Sequence, residues 1–254
     1  MPGVTSDGSL IARFGRARRD RSLAVLEGFH ALKHALRFDA DVLEVVCADR
    51  SGLARLSAAL APELGEQILA LAREVAPEVL VRLAPLVPPT GVISLARRPA
   101  VDPAAVLADE RPAPAILLED PRDLGNMGAC VRVAAAADAA GVLVTGGHDP
   151  WHPDALRGAA GLHYAVPVAS LPAGLPSTLE RPLLALDPAG EPLRPAALPA
   201  RALLMFGSER RGLSPDLLER AQARVAIPMR AGVSSLNLAT SVAAVLFARR
   251  LAVL

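Results

Sequence analysis

Three short segments hold the residue types from which a polar active site could be built, and each follows an apolar run. The first, DPRDLGNMG at residues 120–128, carries Gly125 and Gly128, which permit tight backbone geometry, and Asn126, a good N-cap for the Ala-rich helical stretch that follows. Backbone N–H groups at such a helix start suit a phosphate or a carboxylate. Arg132 is a cation in an otherwise apolar Ala/Val run; it is either a working side chain or the ion-pair partner of Asp123 or Asp138. The second segment, FGSERRGLS at 206–214, turns at Gly207, offers one carboxylate at Glu209 and continues into Arg210 and Arg211. It also reads as a plain helix entry, with Ser214 as N-cap and Pro215 at the first helical position. The third, IPMRAGVSSLN at 227–237, leads into a long apolar helix that keeps Asn237, Thr240 and Ser241 near its start. The body of that helix is expected to be buried and its beginning functional, unless Ser235 is merely its cap. The GxxG spacing of the first segment is not the GxGxxG dinucleotide fingerprint.

The elements that must hold these segments follow from the hydrophobic pattern. Apolar runs of strand length at 116–119, 142–145, 183–186, 202–206 and 225–227 alternate with helical stretches at 127–140, 154–160, 215–223 and 235–251. Such alternation predicts an α/β fold with a mostly parallel sheet covered on both faces. Ligands in such sheets bind outside the carboxyl ends of the strands, where all three segments fall. Residues 99–115 carry Pro99, Pro103, Pro112 and Pro114 among scattered acids and read as a linker. The expected organisation is therefore a smaller α/β domain at 1–98, with a helical pattern near 26–36 and an apolar run at 43–48, the linker at 99–115, and a second domain at 116–254.

With 254 residues, 52% of them hydrophobic, the chain can bury one large core or two modest ones. Its net charge of +1 gives no global sign of a nucleic-acid partner, so any such partner must be recognised locally. Residues 11–37 do concentrate charge: Arg13, Arg16, Arg18, Arg19, Arg21, Lys33 and Arg37 stand against Asp20 and Glu27. The two cysteines, Cys47 and Cys130, are too few for a disulfide framework or a Cys-based metal site, which fits a reducing cytoplasm. No apolar stretch has the length of a signal peptide core or a membrane span, so a soluble cytoplasmic protein is expected.

Taken together and in order, LGNMGACVRVAA, LLMFGSERRGLS and VAIPMRAGVSSLNLA resemble the three motifs of the SpoU family within the SPOUT superfamily of RNA methyltransferases. RSLAVLEGFHALKHAL and PPTGVISLARRP are similar to the ribosomal-protein-like substrate-binding domain often fused to such enzymes. The resemblance implies a C-terminal trefoil knot, a homodimer, and S-adenosylmethionine held in the knot by the second and third segments. Carried over residue by residue, it implies active-site roles for Asn126, Arg132, Glu209, Ser235 and Asn237. It implies a cofactor site made of Met205, Phe206, Gly207, Glu209, Gly212, Ile227, Met229, Ser235, Leu236 and Leu238. Some positions depart from the pattern: Ser208 where Asn is common, Ser234 where Glu is common, and Ala159 in RGAAGLHYAVPV where the family usually has Ser.

The implied reaction is methylation of a ribose 2′-hydroxyl in RNA, ribosomal RNA ahead of transfer RNA. Methyl transfer from a sulfonium to a hydroxyl is an in-line displacement governed by positioning, and it calls for no metal. Arg16, Arg18, Arg19, Arg21 and Lys33 are the expected RNA-phosphate contacts. Two other readings stay open: a non-catalytic RNA-binding or ribosome-assembly protein that keeps the fold, and a nucleotide-binding oxidoreductase using the GNMG loop.

Overall fold

A computed structural model describes residues 7–253, which divide into two units: residues up to Ala100 together with Trp151–Ala165, and Val101–Pro150 together with Val166 onward. The first unit contains α1 (Asp7–Ala17), β1 (Leu23–Glu27), α2 (Phe29–Arg37), β2 (Val42–Cys47), α3 (Arg50–Leu60), α4 (Gly65–Leu71), β3 (Ala72–Glu74), α5 (Pro77–Val81) and β4 (Val92–Arg97). Its sheet runs β1-β4-β2-β3, antiparallel except for the β2–β3 pair. Leu10 and Phe14 of α1 pack with Val25, Val46, Ile93 and Leu95 from the sheet. The helical pattern expected near 26–36 is two elements: β1 ends at Glu27, and Gly28, at φ +102°, turns the chain into α2. A residue with a Cβ adopts that backbone angle only under strain.

The second unit contains α6 (Pro103–Ala108), β5 (Ala115–Leu118), α7 (Leu124–Ala136) and β6 (Gly141–Val144). α8 (Pro153–Gly158) belongs to the first unit, after which β7 (Val168–Ser170), β8 (Leu183–Pro192), β9 (Leu203–Phe206), α9 (Pro215–Arg220), β10 (Ala223–Ala226) and α10 (Leu238–Ala252) complete the second. Its six strands run β10-β8-β9-β5-β6-β7, every pair parallel. The strands read as continuous apolar runs because both faces are covered. Leu117, Leu143, Ala185, Leu203 and Met205 lie in one core cluster, and Leu217 of α9 packs into it.

Several boundaries differ from the sequence reading. Residues 99–115 are not all linker: Pro103 opens α6, with the Asp102 carboxylate accepting from Ala104 N at 2.9 Å. Proline is tolerated at a first helical position because its missing N–H would have no partner there. A fully buried Arg181 anchors this stretch by donating to the carbonyls of Leu107, Asp109, Ala113 and Arg201. Residues 151–165 pack with the first unit, a non-local arrangement no local pattern announces. There Glu27, its side chain 3% exposed, accepts from Arg18 Nη2 at 2.7 Å and from Arg157 Nη1 at 2.9 Å. Gly161, at φ +76°, lies so close to Ala31 that a Cβ would come within 2.5 Å of its carbonyl oxygen. Ala159 is fully buried in this segment.

Among the described residues no helix is long and apolar enough to cross a membrane. No group of three or more His, Cys, Asp or Glu among them could hold a metal ion.

Candidate active site

The pairing register puts the ends of two strands level. Leu118 of β5 lies opposite Phe206 of β9, and Glu119 N donates to Phe206 O at 2.8 Å, so the first and second segments leave the sheet side by side. After Phe206 the backbone folds back on itself: Ser208 N donates to Gly212 O at 3.1 Å and Gly212 N to Ser208 O at 3.0 Å. This bridge closes a small loop with Glu209, Arg210 and Arg211 at its tip. A Cβ on Gly207 would stand 1.9 Å from the carbonyl carbon of Gly212, so the crossing requires glycine at that position. Gly212 itself sits at φ +65°. The Glu119 carboxylate secures the far side of the loop, accepting from Ser214 N at 2.7 Å.

Helix starts supply the other two polar segments. The cap of α7 lies three residues before the expected one: Asp123, not Asn126, is its N-cap, accepting from Asn126 N at 2.6 Å. The Asn126 side chain is thereby released from capping, and it sits in a hydrogen-bond relay. Its Nδ2 donates to Glu209 Oε1 at 3.4 Å, and its Oδ1 accepts from Asn237 Nδ2 at 2.9 Å. Glu209 Oε2 accepts from Arg122 N at 3.2 Å. Asn237 is the N-cap of α10, its Oδ1 accepting from Ala239 N at 2.9 Å and Thr240 N at 3.3 Å. One polar chain thus ties together all three segments singled out in the sequence. Ser235 lies outside the helix and is not its cap.

Beside the relay opens a cavity of about 260 Å³. Of the ten residues expected around a cofactor, Phe206, Gly207, Glu209, Gly212, Ile227, Met229, Ser235, Leu236 and Leu238 line it. Met205 does not: it is fully buried, and its side chain belongs to the sheet core. The sequence reading missed Leu186, Asp187 and Pro188, which also line the cavity. They stand out because the β8–β10 register jumps: Arg224 faces Ala185, but Val225 faces Glu191. Gly190 makes the return possible, since a Cβ there would meet the Arg224 backbone at 2.5 Å. The dipeptide Asp187–Pro188 followed by Gly190 is a turn signal inside a strand pattern, and it could have located this bulge. Beneath the site, burial and then the nearby Glu209 carboxylate push the Cys130 thiol well above its ordinary pKa, so it stays protonated.

Arg132 is exposed on α7 and makes no hydrogen bond or ion pair among the described residues. Neither acid proposed as its partner takes it: Asp138 pairs with Arg111 at 3.7 Å, and Asp123 caps α7. Of the five expected active-site residues, Asn126, Glu209 and Asn237 are joined by hydrogen bonds, Glu209 and Ser235 line the cavity, and Arg132 does neither. In the first unit, Arg16, Arg19 and Arg21 are exposed and Lys33 partly so, none with a side-chain partner among the described residues. Arg18 is different. Its guanidinium is held by Glu27 and by the Leu83 carbonyl at 2.9 Å, so it is a structural ion pair rather than a free cation.

The sequence profile of the SpoU rRNA Methylase family matches residues 113–247, the stretch that contains all three segments. The chain belongs to this family. An uncharacterized tRNA/rRNA methyltransferase of Synechocystis is 30% identical over 257 residues, covering 92% of this chain and 86% of the relative. Among solved structures, an RNA 2′-O ribose methyltransferase superposes with a TM-score of 0.71 at 29% identity, covering 95% of this chain and 96% of the other. The SpoU methyltransferase AviRb from Streptomyces viridochromogenes, solved with AdoMet, superposes with a TM-score of 0.73 at 22% identity, covering 94% and 97%. At that identity the match speaks for the fold.

Proposed function

We propose that this SpoU-family RNA methyltransferase uses S-adenosylmethionine to methylate a ribose 2′-hydroxyl, in ribosomal RNA ahead of transfer RNA. The observation that carries the reading is the Asn237–Asn126–Glu209 relay, which meets at Glu209 a cavity lined mostly by the second and third segments. The cavity suits a cationic cofactor with a flat base: Ile227, Met229, Leu236 and Leu238 offer apolar surface, while Asp187 and Glu209 offer two carboxylates. When bound, the sulfonium supplies an electrophilic methyl group.

The chain's own residues then have distinct tasks. Both functional ends of the Asn126 amide and both oxygens of Glu209 are engaged, which fixes their orientation at the cavity mouth. Asn237 couples the same relay to the start of α10. Arg132, exposed and without a partner among the described residues, is the cation available to clamp a phosphate of the bound RNA and to stabilise charge developing on the ribose oxygen. A guanidinium with a pKa above about 12 is a reluctant base, so Arg132 orients and stabilises rather than accepts the proton. In the first unit Arg16, Arg19, Arg21 and Lys33 would add phosphate contacts, making binding strongly salt-dependent.

Family likeness extends the proposal to a C-terminal trefoil knot and a homodimer. Exposed apolar side chains on the last helix, Phe247 and Leu251, are in keeping with a partner chain. The deciding experiment is a transfer assay with labelled S-adenosylmethionine and unmodified rRNA, followed by mapping of the methylated atom. Arg132→Ala should bind the cofactor normally, by calorimetry, while turnover falls by about two orders of magnitude. Near-normal turnover would remove Arg132 from the mechanism, and a base-methylated product would overturn the ribose assignment.

A further inference from the structure

A second cavity, of about 420 Å³, adjoins the first and is lined by Arg122, Ser208, Arg210 and Arg211. Ser208 and Arg210 line both cavities, so the two share a wall, while Arg122 and Arg211 line only the second. The lining holds no aromatic or aliphatic side chain against which a base could stack. It offers three guanidinium groups and a hydroxyl. Arg122 pairs with Asp120 at 2.7 Å, whereas Arg210 and Arg211 make no hydrogen bond or ion pair among the described residues. Three cations against one acid leave two uncompensated charges on this lining. Glu209, the other nearby acid, lines the first cavity and is engaged by Arg122 N and Asn126.

The geometry points to an anion subsite. We propose that this cavity takes a backbone phosphodiester of the substrate RNA and thereby sets the register that presents one ribose to the adjoining cofactor cavity. The proposal rests on the function argued above. A guanidinium fork matches phosphate oxygens with paired donors, which a lone ammonium cannot do. The loop bearing Arg210 and Arg211 is braced by the Ser208–Gly212 bridge and by the close crossing at Gly207, so its two cations are presented on a fixed frame. A fixed frame matters because a phosphate gripped here locates the neighbouring ribose. The other anion within reach is the cofactor's own carboxylate, since Arg210 touches both spaces. Arg122 and Arg211, which do not line the cofactor cavity, favour the RNA.

The test uses the full-length protein, a fluorescein-labelled single-stranded octaribonucleotide and S-adenosylmethionine, with Arg211→Ala and Arg211→Lys. RNA affinity is measured without cofactor at several salt concentrations, and cofactor affinity by calorimetry. Arg211→Ala should weaken RNA binding about tenfold and make the slope of log K against log salt shallower by about 0.7, the loss of one phosphate contact on a single strand. Cofactor affinity should not change. Arg211→Lys should keep the slope while losing affinity. Both substitutions are at an exposed position, and an unchanged thermal midpoint verifies folding. Unchanged RNA affinity and slope, or an effect confined to cofactor affinity, overturns the subsite. The predicted slope change in Arg211→Ala, with no methyl transfer by the wild-type protein to unmodified rRNA, would leave the subsite standing and sink the proposed activity instead.

Discussion

Replacing Gly207 by alanine probes whether the loop crossing shapes the cofactor cavity. The added Cβ would stand 1.9 Å from Gly212 C, 2.2 Å from Leu213 N and 2.3 Å from Gly212 O. Carbon atoms are comfortable at about 3.5 Å or more, so the two backbone strands must part by roughly 1.5 Å. That separation breaks the two Ser208–Gly212 hydrogen bonds, at a net cost of about 1 kcal/mol each, and residual crowding adds about 1–3 kcal/mol. The expected loss is about 3–5 kcal/mol in urea unfolding, and because residues 207, 208, 209 and 212 line the cavity, cofactor affinity should fall by at least about tenfold. Gly212→Ala is the control. Its Cβ meets nothing within 4 Å, so only the φ of +65° is penalised, at about 1 kcal/mol. The reasoning fails if Gly207→Ala unfolds within 1 kcal/mol of wild type and titrates with S-adenosylmethionine as wild type does.

Other perturbations separate architecture from chemistry. Asn237→Ala removes the α10 cap and the link to Asn126 together, and should cost about 1–2 kcal/mol in denaturation, with a double-mutant cycle against Asn126→Ala showing a coupling of about 0.5–1 kcal/mol. Arg181→Met takes the guanidinium donor from the carbonyls of Leu107, Ala113 and Arg201, while Asp109 O keeps Arg201 Nε, and should lower stability by about 3 kcal/mol, read from the shift in thermal midpoint. Burial chiefly lowers the pKa of His34, whose Nδ1 lies 2.7 Å from Ala160 O; stability is therefore full above the unfolded value near 6.5 and declines as pH falls through the lower folded value. His34→Gln should flatten that acid limb of the pH–stability curve. Cys130, buried and with a raised pKa, should resist iodoacetamide at pH 8 in the native protein and react on unfolding.

Much of the second unit was legible because both-face burial writes itself as continuous apolar runs. The strands expected at 116–119, 142–145 and 202–206 lie within a residue of those observed. Helix starts were harder, for a physical reason. Asn126 and Asn237 are equally good capping residues, yet only Asn237 caps; Asp123, three residues earlier, competes successfully for the α7 N–H groups. Capping preference names candidates, and the tertiary setting chooses among them. The first unit was less legible. Its third strand pairs over only three residues, and α8 packs there from a segment far along the chain.

What the sequence determined by itself was an inventory: three polar segments at strand ends, an α/β alternation, and an order of motifs specific enough to name a family. Those properties are local, set by side-chain period, turn chemistry and residue type. Only the tertiary structure decided which polar groups meet. The level register of β5 and β9 brings Asn126 to Glu209, a bulge in β8 adds Asp187 to the cavity wall, and the bridge at Ser208–Gly212 turns Arg210 and Arg211 toward a second space. It also divided the arginines that composition had treated alike, burying Arg181, pairing Arg18 with Glu27, and leaving Arg132 and Arg211 without a partner among the described residues. Pairing is a property of distance in space, and separations of 83 and 111 residues along the chain, as in the Asn126 relay, carry no local signal.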